Sequence, residues 1–222
     1  MAERLTTGGQ ARFDQLDPDR VRVNLDRVRE RIAAAGANPD AIAICAAIKY
    51  VAAGALPALA AAGIEIVGEN RAQDLIAKRE THSELFEWDF IGALQSRKVR
   101  EVAPIVRLIH SVASESALTK LEQHPAREVL IQVNVAGEEG KAGIDPGELG
   151  GYLERCPCPV SGLMTMPPFA EAPEASRPHF ARLAELAAEH GLARLSMGTT
   201  QDFEVAVQEG ATIVRLGEVL YR

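Results

Sequence analysis

The stretch Ala41-Ile42-Ala43-Ile44-Cys45-Ala46-Ala47-Ile48-Lys49 sets eight apolar residues in a row and ends them on a cation. A short, continuous apolar run reads as a strand buried on both faces, as in parallel sheets. Seven more short runs follow, at 63–70, 86–92, 108–112, 128–135, 160–166, 192–198 and 212–217. Their starts lie 20 to 32 residues apart, with helical periodicity between them. Parallel strands need crossovers of that length, so the chain reads as eight βα units. The expected fold is α/β, a closed (β/α)8 TIM barrel, with chemistry at the C-terminal ends of the strands. Lys49, Glu69–Asn70, Gln95–Ser96, Ser111, Asn134, Thr165, Thr199–Thr200 and Arg215 would then converge on one mouth.

The 222 residues fall just short of the usual barrel length of about 250, which implies short loops. We expect one domain over 1–222, with an N-terminal helix at about 17–36. Asp17 caps that helix, Pro18 opens it, and Gly36 suits its exit. Val21, Leu25, Val28 and Ile32 line one face. Because the chain stops soon after the eighth run, this helix is placed to fill outer-ring space that a last helix would otherwise take.

Hydrophobic content of 47% and charged content of 25% are those of a soluble globular protein. A net charge of −7 argues against a nucleic-acid-binding face. With no signal peptide or spanning segment visible, a cytoplasmic protein without membrane partners is expected, and a monomer. Cys45, Cys156 and Cys158 offer no CxxC and read as reduced thiols, and the histidines form no HExxH, so no metal is expected. Rossmann, Walker and serine-elbow signatures are absent as well.

Among the rim residues, Lys49 is the unusual one. Loss of solvation at the end of a buried strand favours the neutral amine, the species that attacks an aldehyde to form a Schiff base. The plain alternative is a lysine that snorkels or pairs with an acid. Asn70 can bind a ligand edge, and Glu69 can pair with Lys49 or another rim cation; turn chemistry accounts equally for both. Ser196-Met197-Gly198-Thr199-Thr200, with Asp202 and a helix behind it, suits an anion, as does Gly217 on the next strand. Helix capping by Thr199 or Asp202 is compatible with that role. Arg215 can bind phosphate, pair with Glu69, or face an aromatic nitrogen. Trp88 and Phe90 read as strand packing, and His110 as an ordinary hydrogen-bonding strand residue.

Taken in order, Ile48-Lys49, Gly68-Glu69-Asn70, Trp88 through Lys98, His110-Ser111-Val112, Gln132 through Val135, Lys141 through Ile144, Gly162 through Pro167, Leu195 through Gly198 and Val214 through Gly217 form a series. That series resembles the pyridoxal-phosphate homeostasis protein family, single-domain relatives of the alanine racemase N-terminal barrel. The resemblance implies a pyridoxal 5′-phosphate cofactor on Lys49 as a Schiff base. It implies Arg215 near the pyridine nitrogen, and Asn70 and Ser196 near the cofactor. Thr200 matches the family's phosphate-binding serine, within the pair Thr199–Thr200, and Gly217 with the backbone of Glu218 completes that site. Lys141 reads as a loop charge. The implied role is to bind, buffer or deliver the cofactor, with recipient apo-enzymes as partners, no robust turnover and no catalytic residue.

The chain departs from the family pattern in places. Tyr50 follows the lysine, Thr199–Thr200 replace a Met-Ser pair, and Glu218 replaces a small hydroxyl residue. The Glu218 carboxylate repels phosphate unless it turns away. Residue chemistry by itself leaves room for a Schiff-base enzyme, either an amino-acid racemase or a phosphosugar aldolase. It also leaves room for a degenerate barrel that binds other proteins.

Overall fold

The computed structural model describes residues 13–138, 140 and 142–222. Eight parallel strands close in sequence order: β1 Ala43–Ala47, β2 Ile66–Glu69, β3 Glu87–Phe90, β4 Leu108–Val112, β5 Val129–Gln132, β6 Val160–Met164, β7 Arg194–Ser196 and β8 Ile213–Leu216. Each falls within its expected run, and each is as long as that run or shorter. Between them run α2 Leu56–Ala61, α3 Ala72–His82, α4 Val99–Val102, α5 Glu115–Gln123, α6 Leu149–Arg155, α7 Arg177–Glu189 and α8 Phe203–Gln208. The helix α1 Pro18–Ala34 precedes β1, and the short α9 Glu218–Tyr221 follows β8. The fold expectation holds.

Strand alternation separates two apolar regions. One residue of each pair faces the helices, as Ala46, Ile109, Ile131 and Val214 do. Its neighbour faces the barrel axis, where Cys45, Leu108, Leu130, Met164 and Ile213 cluster. That inner apolar group is small. The rest of the axis is polar and fully buried, with Asp89, His110, Ser196 and Arg215 all at 5% exposure or less. Buried polar groups are costly unless each finds a partner, and these four are bonded to one another.

Asp17 caps α1 as expected, its carboxylate accepting from the Asp19 amide at 3.0 Å. Val21, Leu25, Val28 and Ile32 are buried. The helix fills the seam of the ring, between α2 on one side and α8 and α9 on the other. The Arg22 guanidinium donates to the Ala61 carbonyl at the end of α2. Arg31 makes a two-pronged pair with Glu204 of α8, 2.8 and 2.9 Å, and lies over the Phe203 ring. The buried Asn24 amide donates to the carbonyls of Leu220 and Arg222. The outer ring is thus closed by the segment before β1.

Candidate functional site

At the end of β1 the Ile48 amide still bonds the Gly68 carbonyl, and then the chain turns back, Val51 donating to the Ile48 carbonyl at 3.0 Å. Lys49 and Tyr50 form the tip of that turn. Lys49 is exposed, its ammonium 4.9 Å from the centre of the Tyr50 ring. This corrects the reading of Lys49 as the last residue of a buried strand: β1 ends at Ala47, and the desolvation expected of the lysine is not there. Glu69 does not meet Lys49 either. Its carboxylate is fully buried against the Lys78 ammonium of α3, 2.6 Å away, and also accepts from the Asn70 amide at 2.7 Å. Lys78 in turn donates to the Ile48 carbonyl at 2.7 Å. The pair therefore ties the residue before Lys49 to the residue before Asn70.

Seven of the eight expected binding residues line one cavity of about 670 Å³ at the C-terminal mouth: Lys49, Asn70, Thr199, Thr200, Arg215, Gly217 and Glu218. The eighth, Ser196, lies buried against Arg215. A volume of this size suits a small-molecule ligand. A larger hollow of about 900 Å³ lies near the N-terminal strand ends, lined by Arg107, Arg127 and Glu87. It holds none of the eight. In a barrel the N-terminal end carries stability and the C-terminal end carries chemistry, so the smaller cavity is the candidate site.

Arg215 is buried, and its partners are neutral. Nη1 donates to Ser196 Oγ at 2.6 Å, and Nη2 to the Thr165 carbonyl and to Met166 Sδ. No carboxylate lies within ion-pair distance among the described residues, and burial pushes the guanidinium down to about 10. A buried cation without a counter-charge favours a ligand that brings an acceptor or a negative charge. Asn70 Oδ1, on the same cavity, is also buried and has no hydrogen-bond partner among the described residues.

The β7–α8 loop is held by its own residues. Gly198 takes φ +88, and a side chain there would run into Ala206 and Phe203 of α8. The Thr199 amide and hydroxyl both donate to Asp202, at 2.7 and 3.0 Å. Thr199 therefore spends its donors inside the loop. Thr200 is the more available of the two, its hydroxyl only loosely engaged by the Gly217 amide at 3.4 Å. The Glu218 carboxylate is drawn to the Arg222 guanidinium, 3.3 Å away, which moderates the repulsion expected of it. Ser111 donates to the Gly92 carbonyl, Asn134 to that of Glu138, Thr165 to that of Val133, and Gln95 accepts from Arg97. None of these four lines the cavity. Lys141 lies outside the described residues.

The residues that sequence reasoning missed are Asp89, Arg107 and Tyr221. Arg107 grips Asp89 with two bonds, 3.0 and 2.6 Å. Asp89 Oδ2 lies 3.0 Å from His110 Nε2, and His110 Nδ1 lies 2.8 Å from Ser196 Oγ. An acid inside Trp88-Asp89-Phe90 and a histidine inside an otherwise apolar strand were the available signals, each meaningful only once the strands are side by side. Tyr221 lines the mouth and donates to the Ala47 carbonyl at 3.1 Å.

Burial lowers the pKa of His110, and Arg215 and Arg107 act in the same direction against the opposing pull of Asp89. The unfolded chain then takes up a proton below about pH 6.5 that the folded chain refuses. Stability from this group is complete above that pH and falls as the pH drops toward the lowered folded value. We expect urea unfolding to show a larger loss between pH 7 and 5.5 in the wild type than in His110→Asn. Equal losses in the two would refute this.

An alanine racemase N-terminal domain model matches residues 16–222. A pyridoxal phosphate homeostasis protein of Aquifex aeolicus is 38% identical over 213 residues, covering 89% of this chain and 93% of that one. One from Pseudomonas aeruginosa is 37% identical, over 88% and 90%. Among solved structures, PipY of Synechococcus elongatus with PLP bound superposes with a TM-score of 0.78 at 30% identity, over 91% of this chain and all of that one. The barrel with its polar mouth thus falls within the class of alanine racemase N-terminal domains. Within that class, the chain belongs to the pyridoxal phosphate homeostasis protein family.

Proposed function

We propose that this protein binds pyridoxal 5′-phosphate on Lys49 and stores or hands on the cofactor without a dedicated turnover, with 1–222 acting as one domain. The observation that carries the reading is a single cavity holding an exposed lysine amine and a buried arginine with only neutral partners. The PLP-bound relative supports the choice of ligand.

The residues present fit such a group. Lys49 would hold the cofactor through its aldehyde, the amine being the nucleophile such a group needs. Arg215 would offer donors to the ring nitrogen, and the unpartnered Asn70 Oδ1 would offer an acceptor to a ring substituent. The Thr200 hydroxyl and the backbone at Gly217 and Glu218 would take the phosphate. When bound, the cofactor supplies an electron sink, which is strong only if its ring nitrogen is protonated. A guanidinium at that nitrogen would oppose its protonation. Tyr221 is a poor base, because burial pushes its hydroxyl pKa far up and the hydroxyl is committed to Ala47. Both features argue for holding over turning over.

The test is an absorption titration with pyridoxal phosphate, then borohydride reduction and peptide mapping. We expect a reducible visible band, the adduct on Lys49, no band in Lys49→Ala, and no α-proton exchange from added alanine. An unmodified Lys49 after reduction would refute the reading.

A further inference from the structure

One of the acceptors around the buried Arg215 guanidinium is a sulfur. Nη2 donates to the Thr165 carbonyl and to Met166 Sδ, the latter 2.8 Å away. A thioether is a weak acceptor, so of the three partners it is the one most easily exchanged for an oxygen or nitrogen of a ligand. Met166 lies on the loop between β6 and α7, lines the same cavity as Arg215, and is 49% exposed. Met164 and Met197 are 2% and 0% exposed. Among the described methionines, only the one against Arg215 is open to a dissolved oxidant.

We propose that Met166 is a modification site, whose oxidation to the sulfoxide by a peroxide locks the Arg215 guanidinium and weakens cofactor binding in the cavity. One sulfur lone pair meets Arg215, and a second remains for the reaction. It attacks a peroxide oxygen; an S–O bond forms and the O–O bond breaks. With hydrogen peroxide, the proton of the transferred oxygen leaves with the other oxygen as water. Sulfur is oxidised by two electrons and the peroxide is reduced by two. The product sets a strongly polar oxygen where a weak acceptor stood, beside a buried cation whose partners are all neutral. Hydrogen bonds to an ionised group are the stronger kind, so the Nη2 hydrogen is no longer yielded to a ligand. The inference rests on the cofactor reading above and adds a condition under which the cofactor is let go. Linkage makes the effect mutual: a bound cofactor protects the sulfur.

The test is limited oxidation with hydrogen peroxide, removal of the peroxide, peptide mass mapping, and titration with pyridoxal phosphate. Met166 should oxidise before Met164 and Met197, and more slowly in the loaded protein. The oxidised protein should bind about tenfold more weakly, the worth of one hydrogen bond to a charged group, and methionine sulfoxide reductase should restore it. Met166→Leu, compared with its own untreated form, should lose nothing on treatment. Met166→Gln, whose amide oxygen mimics the sulfoxide, should bind weakly without any peroxide. Earlier oxidation of a buried methionine, unchanged affinity once Met166 is oxidised, or an equal loss in Met166→Leu overturns the proposal. If the untreated wild type does not bind pyridoxal phosphate, the cofactor reading falls and the effect on binding with it. The bond from sulfoxide to arginine is then decided by nitrogen NMR: the Arg215 side-chain signals must shift on oxidation of the wild type and stay in place in Met166→Leu.

Discussion

Lys78→Met is expected to lower the unfolding free energy by about 3–5 kcal/mol, because it strands a buried carboxylate. Glu69 is fully buried and Lys78 nearly so, at 0% and 10% side-chain exposure. The ammonium is the carboxylate's only charged partner among the described residues. Once it is gone, Glu69 must either stay charged in the barrel wall or take up a proton. Replacing both partners, Lys78→Met with Glu69→Leu, removes the stranded charge and should recover most of the loss. A double variant as unstable as the single one would show that the pair is not the cause. The single variant should also trap less cofactor on Lys49 under borohydride, since Lys78 anchors the Ile48 carbonyl directly before it.

Gly92→Ala is expected to cost about 2–3 kcal/mol or more, as overpacking that rotamers cannot relieve. A Cβ at Gly92 would sit 1.9 Å from the Asn70 carbonyl oxygen. Only backbone movement can clear that overlap. The ladder between β2 and β3 ends there, where the Ile91 amide bonds the Glu69 carbonyl, so the mouth must open and carry Asn70 with it. Weaker pyridoxal phosphate binding should accompany the loss of stability. Gly162→Ala is the matched control, with a clash of 1.9 Å against the Arg194 carbonyl at the opposite end of the barrel. It should destabilise comparably and leave binding per folded molecule unchanged. If Gly92→Ala melts like the wild type, the tight approach of the two backbones is wrong.

The barrel was legible in the sequence because its signals are local. Continuous apolar runs, a capped first helix and turn glycines each announce themselves within ten residues, and every strand falls inside its run. The mouth was legible to the extent that strand ends converge in any such barrel, which brought Lys49, Asn70, Thr200 and Arg215 together. Strand length was less clear. The apolar run through Ile48 continues past the last ladder residue, so Lys49 read as buried although it stands on a turn. Pairings between distant residues were hidden. Glu69 with Lys78, and Asp89 with His110 and Arg107, are set by strand register and helix rotation, which no local pattern encodes. The Glu218 carboxylate looked like a repulsive charge because its partner, one helical turn on, acts only once that turn forms.

The seam closed by α1 has a consequence for how the molecule is made. Asn24 and its carbonyl partner on Leu220 are 196 positions apart, and β1 pairs with β8 across nearly the whole chain. During synthesis the early helix and strand are finished long before their partners leave the ribosome. Contacts of such separation carry a high loop-closure cost and form late. Until then the apolar face of α1 and the open edge of β1 have no native cover, and exposed faces of this kind invite association between unfinished chains. The barrel completes itself only when β8 and α9 have formed.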